Sequence, residues 1–308
     1  MTEAVGAVDL PELAIYQDQP RQARVGTPGK IGALRMRFEQ RRGRTVLADL
    51  YRQTPLLVQQ ALYWDEAVPD MACVCIVSTS GGVVQGDRLS VDVVAETDTR
   101  VHITTQSATK VQQMDANYAV HAQTFVLGDG AYVEYLPGST IPHRNSRYVV
   151  TSDIEIAESA TLLSSEIVLS GRKHHRADEV FGYDVFSSLM KARRPDGTRL
   201  FTEKILIEPQ RSPIRHPGAM GRYDVFGNVV VLTPPEHAEA ILVRVPTGLI
   251  DGAYSGASRL PGDCGLIFKV LGVERQPVTE RVRAFWSIVR EEVLGAPIGP
   301  AQLWRGQQ

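Results

Sequence analysis

Gly81-Gly82-Val83-Val84-Gln85-Gly86-Asp87-Arg88-Leu89-Ser90-Val91-Asp92-Val93 runs from a glycine-rich loop into a strict alternation of apolar and polar residues. Leu89, Val91 and Val93 fall on one side and Ser90 and Asp92 on the other, the period-two signature of a half-buried strand. Leu34, Met36 and Phe38 alternate in the same way with Arg35, Arg37 and Glu39. So do Ile154 and Ile156 with Asp153 and Glu155, and Ile205 and Ile207 with Lys204 and Leu206. Turn signals separate such runs at Gly128-Asp129-Gly130, Pro195-Asp196-Gly197 and Phe226-Gly227-Asn228. The pattern predicts an all-β fold, a helical stack or sandwich of mostly antiparallel strands.

Two segments near the C-terminus carry a helical period instead. After Pro234-Pro235, Ala238, Ile241, Leu242 and Val245 follow i, i+3, i+4, i+7 spacing, and Pro246 ends the pattern. This predicts a helix over 235–245. Val282, Phe285, Trp286, Val289 and Val293 form a wider apolar stripe, bounded by Thr279 as N-cap and Gly295 as the stop, which predicts a helix over 279–294. Residues 1–30 lack periodicity and are expected to form a flexible tail, with Leu10, Leu13 and Ile15 as a docking patch. No linker divides the remainder, so 31–308 reads as a single domain.

The 308 residues carry a formal net charge of -2, with 43% hydrophobic and 22% charged residues, enough for a sizeable core in an ordinary globular chain. Near-neutral charge and 7% aromatic content argue against nucleic acid as a partner. No apolar run reaches the length of a membrane-spanning helix, and Met1 to Lys30 lacks the basic and apolar regions of a signal peptide. Cys73, Cys75 and Cys264 are too few for a disulfide framework and suit a reducing cytoplasm.

The residue chemistry points away from the common catalytic motifs. Gly81, Gly82 and Gly86 could cradle an anion, but Asp87 follows where a phosphate loop needs lysine, and strand residues follow where it needs a helix. A tight turn is the simpler reading. No G-x-S-x-G elbow is present. Glu134 and Glu166 lie in runs that are apolar on both faces, Ala131 to Leu136 and Leu162 to Leu169. A carboxylate in a doubly buried strand must be paired, hydrogen-bonded or set against a wet cavity. Lys110 and Arg172 are the candidate partners nearest in sequence. The two carboxylates could form a structural ion pair, line a cation passage, or act as an acid pair in hydrolysis. His174-His175 sits in a basic, solvated turn, and on a strand the two side chains would point apart. Cys73 and Cys75 read as core residues. His143, isolated in its segment, reads as a loop or interface residue.

Gly81-Gly82-x-x-x-Gly86-Asp87-Arg88-Leu89, Thr104-Thr105-Gln106-x-Ala108-Thr109-Lys110 and Glu134-Tyr135-Leu136-Pro137 occur in this order. Ser165-Glu166-Ile167-Val168 with Gly171-Arg172 follows, and then Arg290 through Leu294-Gly295 with Leu303-Trp304. Together they resemble the UreD (UreH) family of urease accessory proteins from about Gly32 to Trp304. The chain departs from the family pattern at Gln85, at Gln112-Gln113 and at Ala177-Asp178-Glu179. The resemblance implies a non-enzymatic scaffold for nickel insertion into apo-urease, bridging urease to UreF and, through UreF, to the GTPase UreG. It implies no tightly bound cofactor and no stable metal site, only Ni²⁺ in transit. By the same resemblance Asp87, Glu134 and Glu166 would line that passage and touch the ion transiently. Thr105, Gln106 and Lys110 would shape it, and Gly81, Gly82, Gly86, Arg88, Pro137, Gly171 and Arg172 would support the fold. The rival readings are an acid-pair hydrolase using Glu134 and Glu166, and a plain β-sandwich interaction module.

Overall fold

The computed structural model describes residues 10–16 and 29–299. Most of the expected tail, and Leu303-Trp304, lie outside the described residues. In chain order the first strands are β1 (Ile31–Arg41), β2 (Arg44–Gln53), β3 (Leu56–Leu57), β4 (Ala72–Ser78), β5 (Arg88–Ala95) and β6 (Arg100–Thr105). Next come β7 (Thr109–Val111), β8 (Ala119–Leu127), β9 (Tyr132–Leu136), β10 (Thr140–Pro142), β11 (Arg147–Ile156) and β12 (Thr161–Leu169). Then β13 (Val185–Arg193), β14 (Arg199–Ile207) and β15 (Val225–Leu232) lead to helix α1 (Pro235–Arg244). Finally β16 (Gly248–Ile250), β17 (Ala253–Arg259) and β18 (Gly265–Gly272) lead to helix α2 (Arg275–Leu294).

The first sheet has seven strands in the order β14-β13-β11-β8-β5-β1-β2. The second has eleven, along β16-β17-β18-β15-β12-β9-β6-β4-β3, with β10 beside β12 and β7 beside β10. The expected all-β stack of mostly antiparallel strands is overturned. In the first sheet β1/β5, β5/β8, β8/β11 and β11/β13 pair parallel. In the second, β4/β6, β6/β9 and β9/β12 do the same. With about 46% strand and 15% helix in mixed sheets, the architecture is of the α/β type. Alternation reports which face a strand buries and is blind to the direction of its neighbour. From β5 to β13 the chain visits the second sheet between successive strands of the first, so strands within one sheet run the same way.

Met36, Phe38, Val91, Val93 and Phe125 of the first sheet meet Val74, Val101, Ile103, Val133 and Tyr135 of the second in the central core. The outer face of the second sheet is covered by both helices. Val278, Val282, Phe285, Trp286 and Val289 pack on Leu163, Val229, Val231 and Phe268, with the Phe268 and Phe285 rings stacked at 4.4 Å. Gly227 lets the helix approach this closely, since a Cβ there would lie 3.1 Å from Val278. Helix α2 begins at Arg275, ahead of the expected Thr279. Pro277 is accommodated because first-turn N–H groups need no helical partner. Gly295 ends the helix in the left-handed conformation, as its position predicts. No described helix is long and apolar enough to cross a membrane.

The short 3-10 turn Pro11–Tyr16 lies on the outside of the first sheet. Leu13 is fully buried against Tyr118, Val120 and Val149, with Leu10 beside them. Ile15, expected in the same patch, is 55% exposed. Glu12 accepts a hydrogen bond from Ser187 at 2.7 Å and pairs with Lys204.

Phe285 sits at the centre of the helix–sheet contact, and the stacked ring leaves a cavity when removed. Phe285→Ala is expected to lower unfolding free energy by about 3–5 kcal/mol, read from urea denaturation.

Candidate functional site

Strand β5 begins where the glycine loop ends. Gly82 sits at φ +144, and a Cβ on it would lie 2.6 Å from the Lys110 carbonyl, so glycine alone lets the loop rest on the 104–110 segment. The Val83 N–H donates to the Lys110 carbonyl at 2.8 Å, and the Gln112 N–H donates to the Val83 carbonyl at 2.8 Å. Asp87 is fully buried and closes the loop. Its Oδ1 accepts from the Lys30 N–H at 2.8 Å and its Oδ2 from the Val84 N–H at 2.9 Å. Arg88 donates to the Tyr118 carbonyl at 2.7 Å and to Asn117 Oδ1 at 3.1 Å, with its guanidinium over the Tyr118 ring. Asp87 and Arg88 therefore organise backbone.

Glu134 and Glu166 stand on the neighbouring strands β9 and β12 but project from opposite faces of the second sheet. Glu134 faces helix α2. Its cation is Arg290, in place of the Lys110 or Arg172 that sequence proximity offered. Arg290 Nε donates to Glu134 Oε1 at 2.8 Å and Nη2 donates to Oε2 at 3.1 Å. The Tyr132 hydroxyl donates to Oε1 at 2.8 Å, and His102 Nδ1 lies 2.7 Å from Oε2. Arg290 also pairs with Asp65, and His102 stacks on Trp286 at 5.5 Å. Glu134 is 0% and Arg290 1% exposed. Burial alone would raise the Glu134 pKa. The hydrogen bond from His102 and the charge of Arg290 outweigh it and hold the carboxyl at about 2. Burial also opposes the Arg290 charge, and Glu134, Tyr132 and Asp65 keep it protonated.

Glu166 faces inward, onto a polar cavity of about 60 Å³ between the sheets. Ser164, Tyr135, Gln123, Ser152, Glu203 and Asn228 share its wall. A wider cavity of about 180 Å³ adjoins it, and Thr105, Thr109, His121, Tyr135 and Tyr148 line both. The wider one reaches Gly81, Gly82, Ser107 and Lys110. Both exceed the roughly 10–15 Å³ that one water needs. Burial raises the Glu166 pKa to about 7, a hydrogen bond with Ser188 pulling it down and the charge of Glu203 adding to the rise. Burial pushes His121 down to about 4, so its imidazole is neutral at pH 7. His121 Nδ1 lies 3.2 Å from the Tyr148 hydroxyl. Its Nε2 and Asn228 Oδ1 are buried without a hydrogen-bond partner.

Of the residues singled out from sequence, the cavities bring together Glu166, Thr105, Lys110, Pro137, Gly81 and Gly82. Asp87, Glu134 and Gln106 are not among their linings, and Gln106 is exposed. Gly171 and Arg172 lie elsewhere, on a surface groove with His174 and His175, where Arg172 pairs with Glu179. His143 is 6% exposed. Cys73 is buried, and burial pushes its thiol up to about 12. Sequence reading missed His121, Glu203 and Lys269, which lie in strands, where polar residues at alternate positions read as the solvent face. It also took Phe226-Gly227-Asn228 for a turn, but the three lie inside the buried strand β15, paired on both sides, so Asn228 was missed with them. Among the described residues, no group of three or more His, Cys, Asp or Glu side chains converges as a metal site. The two carboxylates first offered as an acid pair do not share a site.

A two-sheet scaffold with helices on one face, and cavities with polar groups set into the apolar core between the sheets, is the class of protein these features define. The chain matches the profile described as UreD urease accessory protein over residues 30–305, and it belongs to that family. It is 49% identical over 300 residues to the urease accessory protein UreD of Yersinia pseudotuberculosis, covering 97% of this chain and 94% of the relative. It is 48% identical over 295 residues to urease accessory protein UreD 2 of Brucella suis, covering 95% of this chain and 98% of the relative.

Removing one partner of the Arg290 network strands a buried charge. Arg290→Met is expected to cost about 3–5 kcal/mol in urea unfolding. Glu134 has a folded pKa of about 2, below its ordinary 4.5. Its stabilisation is therefore complete above about 4.5 and lost as pH falls towards about 2. Wild-type stability should decline over that window more steeply than that of Glu134→Gln, measured by thermal melts at successive pH values.

Proposed function

We propose that this chain serves nickel insertion into apo-urease. It holds the enzyme to UreF and, through UreF, to the GTPase UreG, and it gives Ni²⁺ a route through its own interior. The observation that carries the reading is the pair of adjoining cavities of mixed polar and apolar lining between the sheets, reaching from Gly81 and Lys110 to Glu166 and Glu203. The wall supplies hydroxyls, amides and two carboxylates among apolar side chains, and among the described residues no three His, Cys, Asp or Glu side chains converge as a ligand set. Such a wall solvates a hydrated cation weakly, and an ion in transit needs sites it can leave. Nickel accepts oxygen and imidazole donors, and both are present in Glu166, Tyr135 and His121. Asp87 and Glu134 support this route at one remove, since their oxygens are already engaged by backbone N–H groups and by Arg290. GTP hydrolysis belongs to UreG in this scheme, and no GTP turnover is expected from this protein alone.

The test separates Glu166 from Glu134. Glu166→Gln should leave melting temperature and binding to UreF close to wild type, because water in the cavity solvates the amide. It should reduce urease activation when nickel is limiting, with the deficit shrinking as nickel rises. Activation equal to wild type at every nickel concentration would end the passage reading and leave the accessory role standing.

A further inference from the structure

The surface groove that holds Gly171 and Arg172 encloses about 690 Å³ and sets cations beside apolar side chains. Ile141 of β10, Leu169 of β12 and Val225 of β15 supply the apolar lining. Arg172, Lys173, His174, His175 and Arg275 supply the basic one. The basic run is anchored at both ends. The Phe181 N–H donates to the Ser170 carbonyl at 2.6 Å, and Gly171 sits at φ +131, where a Cβ would strike the Glu179 carbonyl. The balancing carboxylate of Arg172 lies beneath it: the Arg172 side chain is 39% exposed and that of Glu179 5%. Lys173 pairs with Asp224 at 3.3 Å and with Glu274 at 2.7 Å. Glu274 is the one carboxylate of the lining among the described residues.

Two further cations carry no such balance. Among the described residues, Lys110 and Arg275 have no carboxylate partner. Arg275 opens helix α2 and lines the groove. Lys110 of β7 is paired in register with Ile141 of β10, so the two share a face. The Lys110 charge reaches the same neighbourhood as that of Arg172. Burial and then Arg172 lower the His143 pKa, Glu179 opposes them, and Lys110 adds to the fall. Lys110 also borders the wider interior cavity, as does Thr109 before it. The basic groove therefore lies beside one end of the interior route.

We propose that this groove docks an acidic segment of a partner protein, in which carboxylates flank an apolar side chain. The apolar side chain lies against Ile141, Leu169 and Val225, and the carboxylates meet the unpaired cations Lys110 and Arg275. Clustered basic side chains recognise acidic motifs in this way. The chain as a whole has a formal net charge of -2, so the attraction is local to the groove and sets where a partner lands. The same net charge disfavours a nucleic acid as occupant, since a long polyanion would meet the rest of the surface as well. The proposal rests on the reading above only for what the docked protein delivers, and it adds the surface at which that protein is held.

The experiment measures fluorescence anisotropy of a labelled peptide, Glu-Asp-Leu-Glu-Asp-Leu-Glu-Asp, titrated with the purified full chain. Affinity should fall about two- to fivefold in Lys110→Gln and again in Arg275→Gln, the range for partly exposed ion pairs, and further in the double variant. Neither side chain has an ion-pair partner to lose, so both variants should fold. Arg42→Gln, in the turn between β1 and β2, should bind as wild type does. A peptide with Gly in place of each Leu should bind more weakly than the parent. Unchanged affinity in the double variant, or a single-stranded oligonucleotide that displaces the peptide with equal affinity, would each overturn the proposal. Urease activation supplies the second readout. The double variant should lower it at every nickel concentration, because docking precedes delivery, and wild-type activation there would overturn the docking role. Weakened peptide binding alongside normal activation in Glu166→Gln keeps the groove and removes the passage. Unchanged peptide binding alongside a Glu166→Gln deficit removes the groove alone.

Discussion

One buried guanidinium holds the layers of this protein in place. Arg290 comes from helix α2, Glu134 from β9 at the middle of the second sheet, and Asp65 from the loop before β4. These residues are far apart in the chain, and all three are desolvated when the fold closes. Desolvation alone disfavours each charge, so the arrangement persists because every oxygen and nitrogen facing the centre finds a partner. The cost of misplacing any member fixes where the helix lies on the sheet. Apolar contacts such as Phe268 on Phe285 supply area, and area by itself tolerates sliding. The ion network does not.

With the helix fixed on one face, the second sheet is buried on both sides, and its two faces acquire different chemistry. The helix side carries the ion network of Arg290, Glu134 and Asp65. The inner side carries polar residues whose hydrogen-bonding capacity is incompletely used, such as Asn228 and His121, around space for water. A single step in parity along a strand decides which role a carboxylate takes. Glu134 is held at a pKa of about 2 and stays ionised, whereas Glu166 is raised to about 7 and has no fixed charge partner within the cavity wall. The same residue type on neighbouring strands thus serves as a fastener in one case and stands as a titratable group on a cavity wall in the other.

Much of this was legible in the chain. The alternation at 89–93 marks β5, the stripe from Val282 to Val293 marks α2, and the ordered motifs from Gly81 to Arg290 mark the family. Doubly apolar runs around Glu134 and Glu166 announced that both carboxylates needed an unusual environment. These signals are local: they depend on residues within a few positions of each other, and period and composition report them directly. The parallel pairing was not legible, because strand direction is set by which segment arrives next to which after the chain has crossed to the other sheet. Nor was Arg290 as the partner of Glu134, separated from it by 156 positions. The placing of Lys110 on the same face as Ile141 likewise exists only through the register of β7 and β10. Sequence determined that these strands and helices form and that two carboxylates are buried. Tertiary structure alone decided which face each carboxylate meets, because burial, charge partners and cavities arise between elements distant in the chain.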